Sequence, residues 1–171
     1  HHLRAIMSYA QQGRYEELMD YLQEYASVMT QEEKVICYCR NMAVDAVIHF
    51  YAGELKQRGI SFEYDMILPQ DIGISDTDLC KIYGNLLENA VNGCIECGSR
   101  DEITVNLRMK KKKLVIVCSN PCKTDLVIEN DIIKPKGTGI ESILLAIDKY
   151  DGNIRYQMED GILTACVILN C

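Results

Sequence analysis

Three asparagines, Asn85, Asn89 and Asn92, recur at intervals of four and three residues in the segment YGNLLENAVN. This spacing places their side chains in one stripe along a helix. Asparagine is a weak helix former, by up to about 0.7 kcal/mol per residue relative to alanine, so three on one face need a physical reason. One reason is a solvated polar face. The other is a set of fixed amides directed at a bound metal ion and a phosphate chain.

A second polar segment, KGTGIES, begins at Lys136 and leads into a helix. Glycines at a helix entrance let backbone N–H groups approach an anion closely, and the helix N-terminus adds partial positive charge. Lys136 would add a full charge. The alternative is a tight turn from loop to helix. The segment lacks the GxxxxGK[ST] spacing of a P-loop, and no parallel βαβ unit surrounds it as a dinucleotide fingerprint requires.

The three asparagines lie on one face only if this segment is helical, and the sequence predicts a helix over Asp76–Cys97. Ser75, three residues before Asp78, gives a start that resembles a capping box, and Gly98 follows the end. Apolar residues recur at three- and four-residue spacing beside the polar stripe, which indicates a buried face. They are Leu79, Ile82, Leu86, Ala90 and Val91.

The rest of the chain predicts an α+β two-layer sandwich preceded by a helical hairpin, with strands in antiparallel pairs and helices on one face. We expect a hairpin domain over 1–38 and a catalytic domain over 39–171. Residues 120–136 have little periodicity, so we expect a lid-like loop there. The predicted helices are 1–12, 15–26, 41–58, 76–97 and one entered from KGTGIES; the predicted strands are 60–68, 102–109, 114–118, 153–158 and 162–169.

Composition limits the functional classes. The chain has 171 residues and a net charge of −7, which disfavours non-specific binding to nucleic acid. No apolar run approaches the roughly 20 residues of a membrane helix. The chain lacks an initiator Met, so we expect a fragment of a longer protein. Nine cysteines without regular spacing favour a reducing compartment. The pairs in CIEC and CSNPC would suit zinc, but small buried thiols are the favoured interpretation.

The two polar segments together resemble the ATP-binding (Bergerat) fold shared by gyrase, heat-shock chaperones, histidine kinases and mismatch-repair ATPases. The resemblance implies a mixed, mostly antiparallel sheet with helices on one face. The motifs NLLENA, GTGIESI and KYDGNI are most similar to sensor histidine kinases, in the branch with the peptide-pheromone receptor kinases of Gram-positive bacteria. NMAVDAVIHFYAGELKQRGISFEYDM resembles the lead-in helix and first strand of that branch. HHLRAIMSYAQQGRYEELMDYLQEY resembles its dimerisation and phosphoacceptor hairpin, so the resemblance covers nearly the whole chain.

The resemblance implies roles for individual residues. Asn89 matches the asparagine that ligates Mg²⁺ between the phosphates of ATP. Asn85 stands where ATP-hydrolysing relatives have a general-base glutamate, and an amide cannot take a proton from water at neutral pH. Glu88 is the adjacent acid, with a supporting catalytic role. Asn120 replaces the aspartate of the adenine-binding DxGxG motif, which this chain lacks. The full set of implied ATP-binding residues is Asn85, Asn89, Asn92, Asn120, Lys136, Gly137, Thr138, Gly139 and Ile140.

The resemblance implies the cytoplasmic core of a two-component sensor kinase, with ATP and Mg²⁺ as cofactors. Such a core transfers the γ-phosphoryl group to a histidine and then to an aspartate of a response regulator. We expect a homodimer through the hairpin, because two helices alone cannot bury both apolar stripes. We expect membrane attachment only through N-terminal segments of the parent, and the acceptor histidine upstream of His1. The alternatives are a degenerate nucleotide-binding regulatory module and, more weakly, an anti-sigma-factor kinase of the same fold.

Overall fold

The computed structural model describes residues 2–29, 37–69, 72–134 and 137–171. The chain divides into two compact units, residues 1–35 and 36–171. In chain order the elements are α1 (His2–Gln11), α2 (Tyr15–Met29), α3 (Met42–Arg58), β1 (Phe62–Ile67), α4 (Asp76–Cys97), β2 (Ile103–Lys110), β3 (Lys113–Pro121), β4 (Val127–Glu129), β5 (Ile132–Lys134), α5 (Thr138–Asp148), β6 (Asn153–Glu159) and β7 (Ile162–Asn170).

The first unit is a helical hairpin. Gly13 ends the first helical segment with a φ of 68°, a backbone conformation that glycine adopts without a steric penalty. The rings of Tyr9 and Tyr21 lie 5.9 Å apart between α1 and α2. On α2, Tyr15 and Met19 remain 65% and 54% exposed. The two predicted helices are confirmed, although α2 extends three residues beyond its predicted end.

The second unit is built on a five-stranded sheet in the order β1-β2-β3-β7-β6. β2, β3, β7 and β6 pair antiparallel, as the sequence predicted. β1 pairs parallel with β2, so the sheet is mixed and mostly antiparallel, which confirms the predicted fold class; the sequence did not indicate which strand is parallel. The physical reason for the parallel pairing is the crossover through α4, which returns the chain to the end of the sheet where β1 began.

α4 is the central helix of the second unit, in contact with α3, α5 and β3. Its predicted bounds are confirmed. The Ser75 hydroxyl accepts a hydrogen bond of 3.2 Å from the Asp78 N–H, and Gly98 closes the helix with a φ of 71°. The apolar face lies against the sheet. Its fully buried side chains include Leu79, Ile82, Tyr83 and Leu87.

The segment predicted as a lid-like loop is more ordered than expected. β3 continues to Pro121, and β4 and β5 form a short antiparallel hairpin. Its tip lies against the edge strand β6, where the Tyr156 N–H donates to the Asp131 carbonyl at 2.8 Å. Strands of three residues are too short to show an alternating pattern, and contacts with the sheet edge were invisible to sequence reasoning.

Candidate functional site

The first turn of α5 lies against the asparagine stripe of α4. A Cβ built on Gly139 would fall 2.9 Å from the Asn85 Oδ1 and 3.5 Å from the Asn89 Oδ1. The first distance is shorter than normal carbon–oxygen contact, so glycine is the residue that allows this approach while the Asn85 amide keeps its position. The tertiary fold therefore joins the two polar segments that the sequence presented separately.

The amide oxygens of Asn85 and Asn89 both lie near Gly139, in the first turn of α5. The Asn85 Nδ2 donates to the Lys81 carbonyl at 2.6 Å, which leaves the oxygen directed towards Gly139. Asn85 and Asn89 are partly exposed. Amide oxygens are hard ligands of the kind that Mg²⁺ prefers. The contact between the helices thus offers oxygen ligands for a cation at a place that solvent reaches.

The N-terminus of α5 adds hydrogen-bond donors. Gly137 is the N-cap residue and has no side chain to satisfy the first turn. The N–H groups of Thr138, Gly139 and Ile140 therefore have no acceptor four residues back, and they lie at the positive end of the helix dipole. The Ile140 side chain is buried in the core, so its contribution is through the backbone. Lys136, predicted as a phosphate ligand, lies outside the described residues.

The other end of the asparagine stripe meets the end of β3. Asn120 is 5% exposed, and its Nδ2 donates to the Pro121 carbonyl at 2.8 Å. A Cβ on Gly93 would lie 2.5 Å from the Asn120 Nδ2. Sequence reasoning missed Gly93, although a glycine inside a helix costs roughly 1 kcal/mol relative to alanine and so calls for an explanation. From Asn85 to Gly93 the site spans about 12 Å of helix.

Glu88 and Asn92 are exposed on the outer side of α4. Glu88 lies within electrostatic range of Tyr51 on α3. Burial raises the pKa of Tyr51, and the negative charges of Glu88 and Glu54 raise it further. The predicted supporting role of Glu88 in catalysis stays a prediction, as does nucleotide binding by Asn92.

Asp78, which the sequence identified only as a capping residue, anchors the other end of α5. Its carboxylate is 4% exposed and accepts hydrogen bonds from Lys149 Nζ at 2.9 Å, Tyr150 OH at 2.8 Å and Ser75 Oγ at 2.8 Å. The Lys149 bond is the main reason that the pKa of Asp78 falls to about 2. With Gly139 beside Asn85 and Lys149 beside Asp78, α5 runs antiparallel to the first half of α4.

The cysteine pairs do not form the zinc site weighed from the sequence. Across the described residues, no three His, Cys, Asp or Glu side chains are arranged to hold a metal ion. Burial raises the pKa of Cys94 to about 11 and that of Cys118 to about 12. Without a metal, both thiols are therefore protonated at neutral pH, as expected of small buried side chains.

A groove of about 410 Å³ lies along the second half of α5, beside β6 and the β4–β5 hairpin. Leu144, Leu145 and Ile154 are among the residues that line it, and none of the predicted site residues does. In the described part of the chain, no helix has both the length and the apolar character needed to span a bilayer.

The sequence model of one protein family, described as GHKL domain, matches residues 74–170 of this chain. The matched region begins just before α4 and ends with β7, so it contains the asparagine stripe, the end of β3 and the N-terminus of α5. No curated protein matches the sequence.

Solved structures share the fold. The nucleotide-free catalytic domain of the histidine kinase ThkA superposes with a TM-score of 0.59 at 16% identity, over 75% of this chain and 90% of that one. The Acinetobacter baumannii histidine kinase AdeS superposes with a TM-score of 0.61 at 12% identity, over 98% of this chain and 92% of that one. Full-length ShkA, solved in complex with AMPPNP, gives 0.56 at 13% identity, over 74% of this chain and 29% of that one. At these identities the likeness shows the fold.

Proposed function

The chain belongs to the GHKL domain family, and from this membership we propose that it is the ATP-binding catalytic core of a two-component sensor histidine kinase. The observation that carries the proposal is the contact of Gly139 with the amide oxygens of Asn85 and Asn89, at a helix N-terminus without a side-chain cap. Oxygen ligands for a divalent cation and N–H donors for phosphate meet there.

The donor set fits ATP with Mg²⁺, whose chemistry is to supply a transferable phosphoryl group and to neutralise its charge. Asn89 would hold the metal through Oδ1, and Asn85 lies beside it. The N–H groups of Thr138, Gly139 and Ile140 would bind the phosphates, with Lys136 adding charge. Asn120 would accept a hydrogen bond from the adenine amino group through Oδ1, because its Nδ2 already donates to the Pro121 carbonyl.

The chemistry favours a kinase over an ATPase. By the resemblance, Asn85 would occupy the position of the hydrolytic base, and an amide does not take a proton from water at neutral pH. Glu88 is exposed, so an incoming imidazole could reach it, and it would polarise that imidazole. The expected acceptor is a histidine upstream of His1, and the next acceptor is an aspartate of a response regulator.

The wider assembly follows from the same proposal. The hairpin of α1 and α2 would pair with a second copy in a four-helix bundle, which would cover apolar side chains such as Tyr15 and Met19. The resemblance to peptide-pheromone receptor kinases would place the parent protein at a bacterial membrane, through segments that precede this chain, with the present residues in the cytoplasm.

Calorimetry with ATP and Mg²⁺ tests the proposal. We expect the chain to bind, and Asn89→Ala to weaken binding at least about tenfold through loss of a metal ligand. Asn106→Ala is the matched control, because Asn106 is an exposed asparagine on β2 outside the site. Equal affinities of both variants would contradict the assignment.

Incubation with γ-labelled ATP tests the acceptor. We expect no acid-labile label on this chain alone, and strong labelling would place the acceptor histidine within it.

A second candidate function is a regulatory nucleotide-fold module without kinase activity. The observation in its favour is the segment Asn120-Pro121, which stands where the DxGxG motif would begin and buries its amide against Gly93. Absence of any ATP-dependent change in thermal stability would favour this candidate over the kinase.

A further inference from the structure

Asp78 forms the most connected polar contact between α4 and α5. Three side chains donate to its carboxylate: Ser75 from the start of α4, and Lys149 and Tyr150 from the end of α5. Tyr150 OH also accepts from the Ser75 N–H at 3.1 Å. A buried carboxylate held by several donors stays ionised at neutral pH, in agreement with its pKa of about 2.

The turn after α5 is fixed from a second side. Asn170, at the end of β7, donates through Nδ2 to the carbonyls of Tyr150 and Asp151 at 3.2 and 2.9 Å. Gly152 packs so tightly that a Cβ there would lie 2.8 Å from the Ile168 carbonyl. The C-terminal end of α5 is therefore held by α4 and by the sheet together.

The buried side chains of α5 are apolar and include Ile143 and Ile147. Close packing of these side chains keeps α5 on the core. The hydrogen bonds at its C-terminal end are directional, so they fix its position along α4 more narrowly than apolar packing alone. The opposite end of the same short helix carries Gly139 and the N–H groups proposed to bind phosphate, so a shift at Lys149 moves those donors relative to Asn85.

We propose that Asp78 is a positioning residue for the phosphate-binding end of α5: by holding Lys149 and Tyr150, it sets where the first turn of α5 lies against Asn85 and Asn89. This inference rests on the proposed function, because it concerns the phosphate half of the same site. Asp78 itself lies two helical turns from Asn85 and does not touch the nucleotide.

The test is the ratio of ATP affinity to adenosine affinity, measured with Mg²⁺ by NMR titration of the whole chain. Adenosine contacts only the end of the site near Asn120, whereas ATP also uses the first turn of α5. A loss of folding lowers the apparent affinity for both ligands equally. Loss of positioning weakens ATP selectively, by about three- to tenfold for a displacement well below 1 Å.

Three variants probe the contact. Tyr150→Phe removes the hydrogen bonds that its hydroxyl donates to Asp78 and accepts from Ser75, without a change of charge. Lys149→Met removes another bond to Asp78 from a half-exposed side chain, so both variants are expected to fold. Asp78→Asn removes a negative charge. Long-range electrostatics alone would then strengthen ATP binding, whereas positioning predicts weaker binding. Glu54→Gln is the control, because it breaks an ion pair to Arg58 outside the site.

We expect the ratio to fall in all three variants and to stay unchanged in Glu54→Gln. An unchanged ratio in Tyr150→Phe and Lys149→Met, or tighter ATP binding by Asp78→Asn, would overturn the inference. A wild-type chain that binds no ATP would overturn the proposed function itself, and that result is distinct from an unchanged ratio.

Discussion

Gly139→Ala separates nucleotide binding from folding stability more sharply than any other substitution in this site. The new methyl group would lie 2.9 Å from the Asn85 Oδ1, too close for a carbon and an oxygen that are not bonded. Asn85 is partly exposed and its amide is the end of a side chain, so it will rotate away rather than displace the backbone.

The effects on stability nearly cancel. Rotation of Asn85 removes its hydrogen bond to the Lys81 carbonyl, a loss of about 1 kcal/mol. Replacement of a helical glycine by alanine returns about 0.5–1 kcal/mol. We therefore expect the free energy of unfolding to change by less than about 1 kcal/mol. ATP loses its contact with Asn85, a contact to a charged group that contributes about 1.5–3 kcal/mol, or a ten- to hundredfold weaker Kd.

The assay combines urea unfolding with calorimetry of Mg-ATP. Gly53→Ala is the control: Gly53 is an exposed glycine of α3 with nothing within 4 Å of a built Cβ. It should gain about 0.5–1 kcal/mol of stability and bind ATP as the wild type does. If Gly139→Ala binds ATP with unchanged affinity while Asn85→Ala does not, the contact between Gly139 and Asn85 is no part of the site and the reasoning fails.

Three further predictions follow from buried polar groups. Hydrogen bonds lower the pKa of Asp78 from the usual 3.8 to about 2, so its carboxylate should add about 2 kcal/mol to the free energy of unfolding above pH 4. That contribution disappears as the pH falls towards 2. Asp78→Asn should therefore flatten the acid side of the plot of unfolding free energy against pH. The hydroxyls of Tyr83 and Tyr156 are buried without a hydrogen-bond partner in the described structure. Phenylalanine at either position should therefore leave the urea midpoint unchanged or raise it. A loss of more than about 1 kcal/mol in the free energy of unfolding would show that the hydroxyl has a partner. Gly93→Ala should destabilise the chain by about 1–3 kcal/mol and weaken adenosine binding, because the new methyl group displaces the buried Asn120 amide. Calorimetry with adenosine tests this. Unchanged adenosine affinity would count against Asn120 as the residue that contacts the base.

Local chemistry explains why several elements were predictable. Ser75 and Gly98 cap α4, Asn41 and Gly59 cap α3, and both helices begin and end where those residues indicated. The β6–β7 turn at Asp160-Gly161 was equally local, since both residues have positive φ. Each of these features depends on the conformational preferences of a few neighbouring residues.

The features that were missed depend on contacts between distant residues. The β4–β5 hairpin is held at its tip by the bond between Asp131 and Tyr156 at the sheet edge. The parallel pairing of β1 depends on the whole crossover through α4. Asp78 looked like a helix cap because its partners Lys149 and Tyr150 are more than 70 residues away, and nothing near Asp78 indicates them.

The sequence by itself determined the ingredients of this site. The spacing of Asn85 and Asn89 puts their amides on one helical face, and the glycines of KGTGIES leave a helix N-terminus uncapped, because both depend only on local helix geometry. Only the tertiary structure decided that Gly139 meets Asn85 and that Asn120 packs on Gly93. Those contacts depend on how α4, α5 and β3 pack together, and non-directional apolar burial does not specify that arrangement residue by residue.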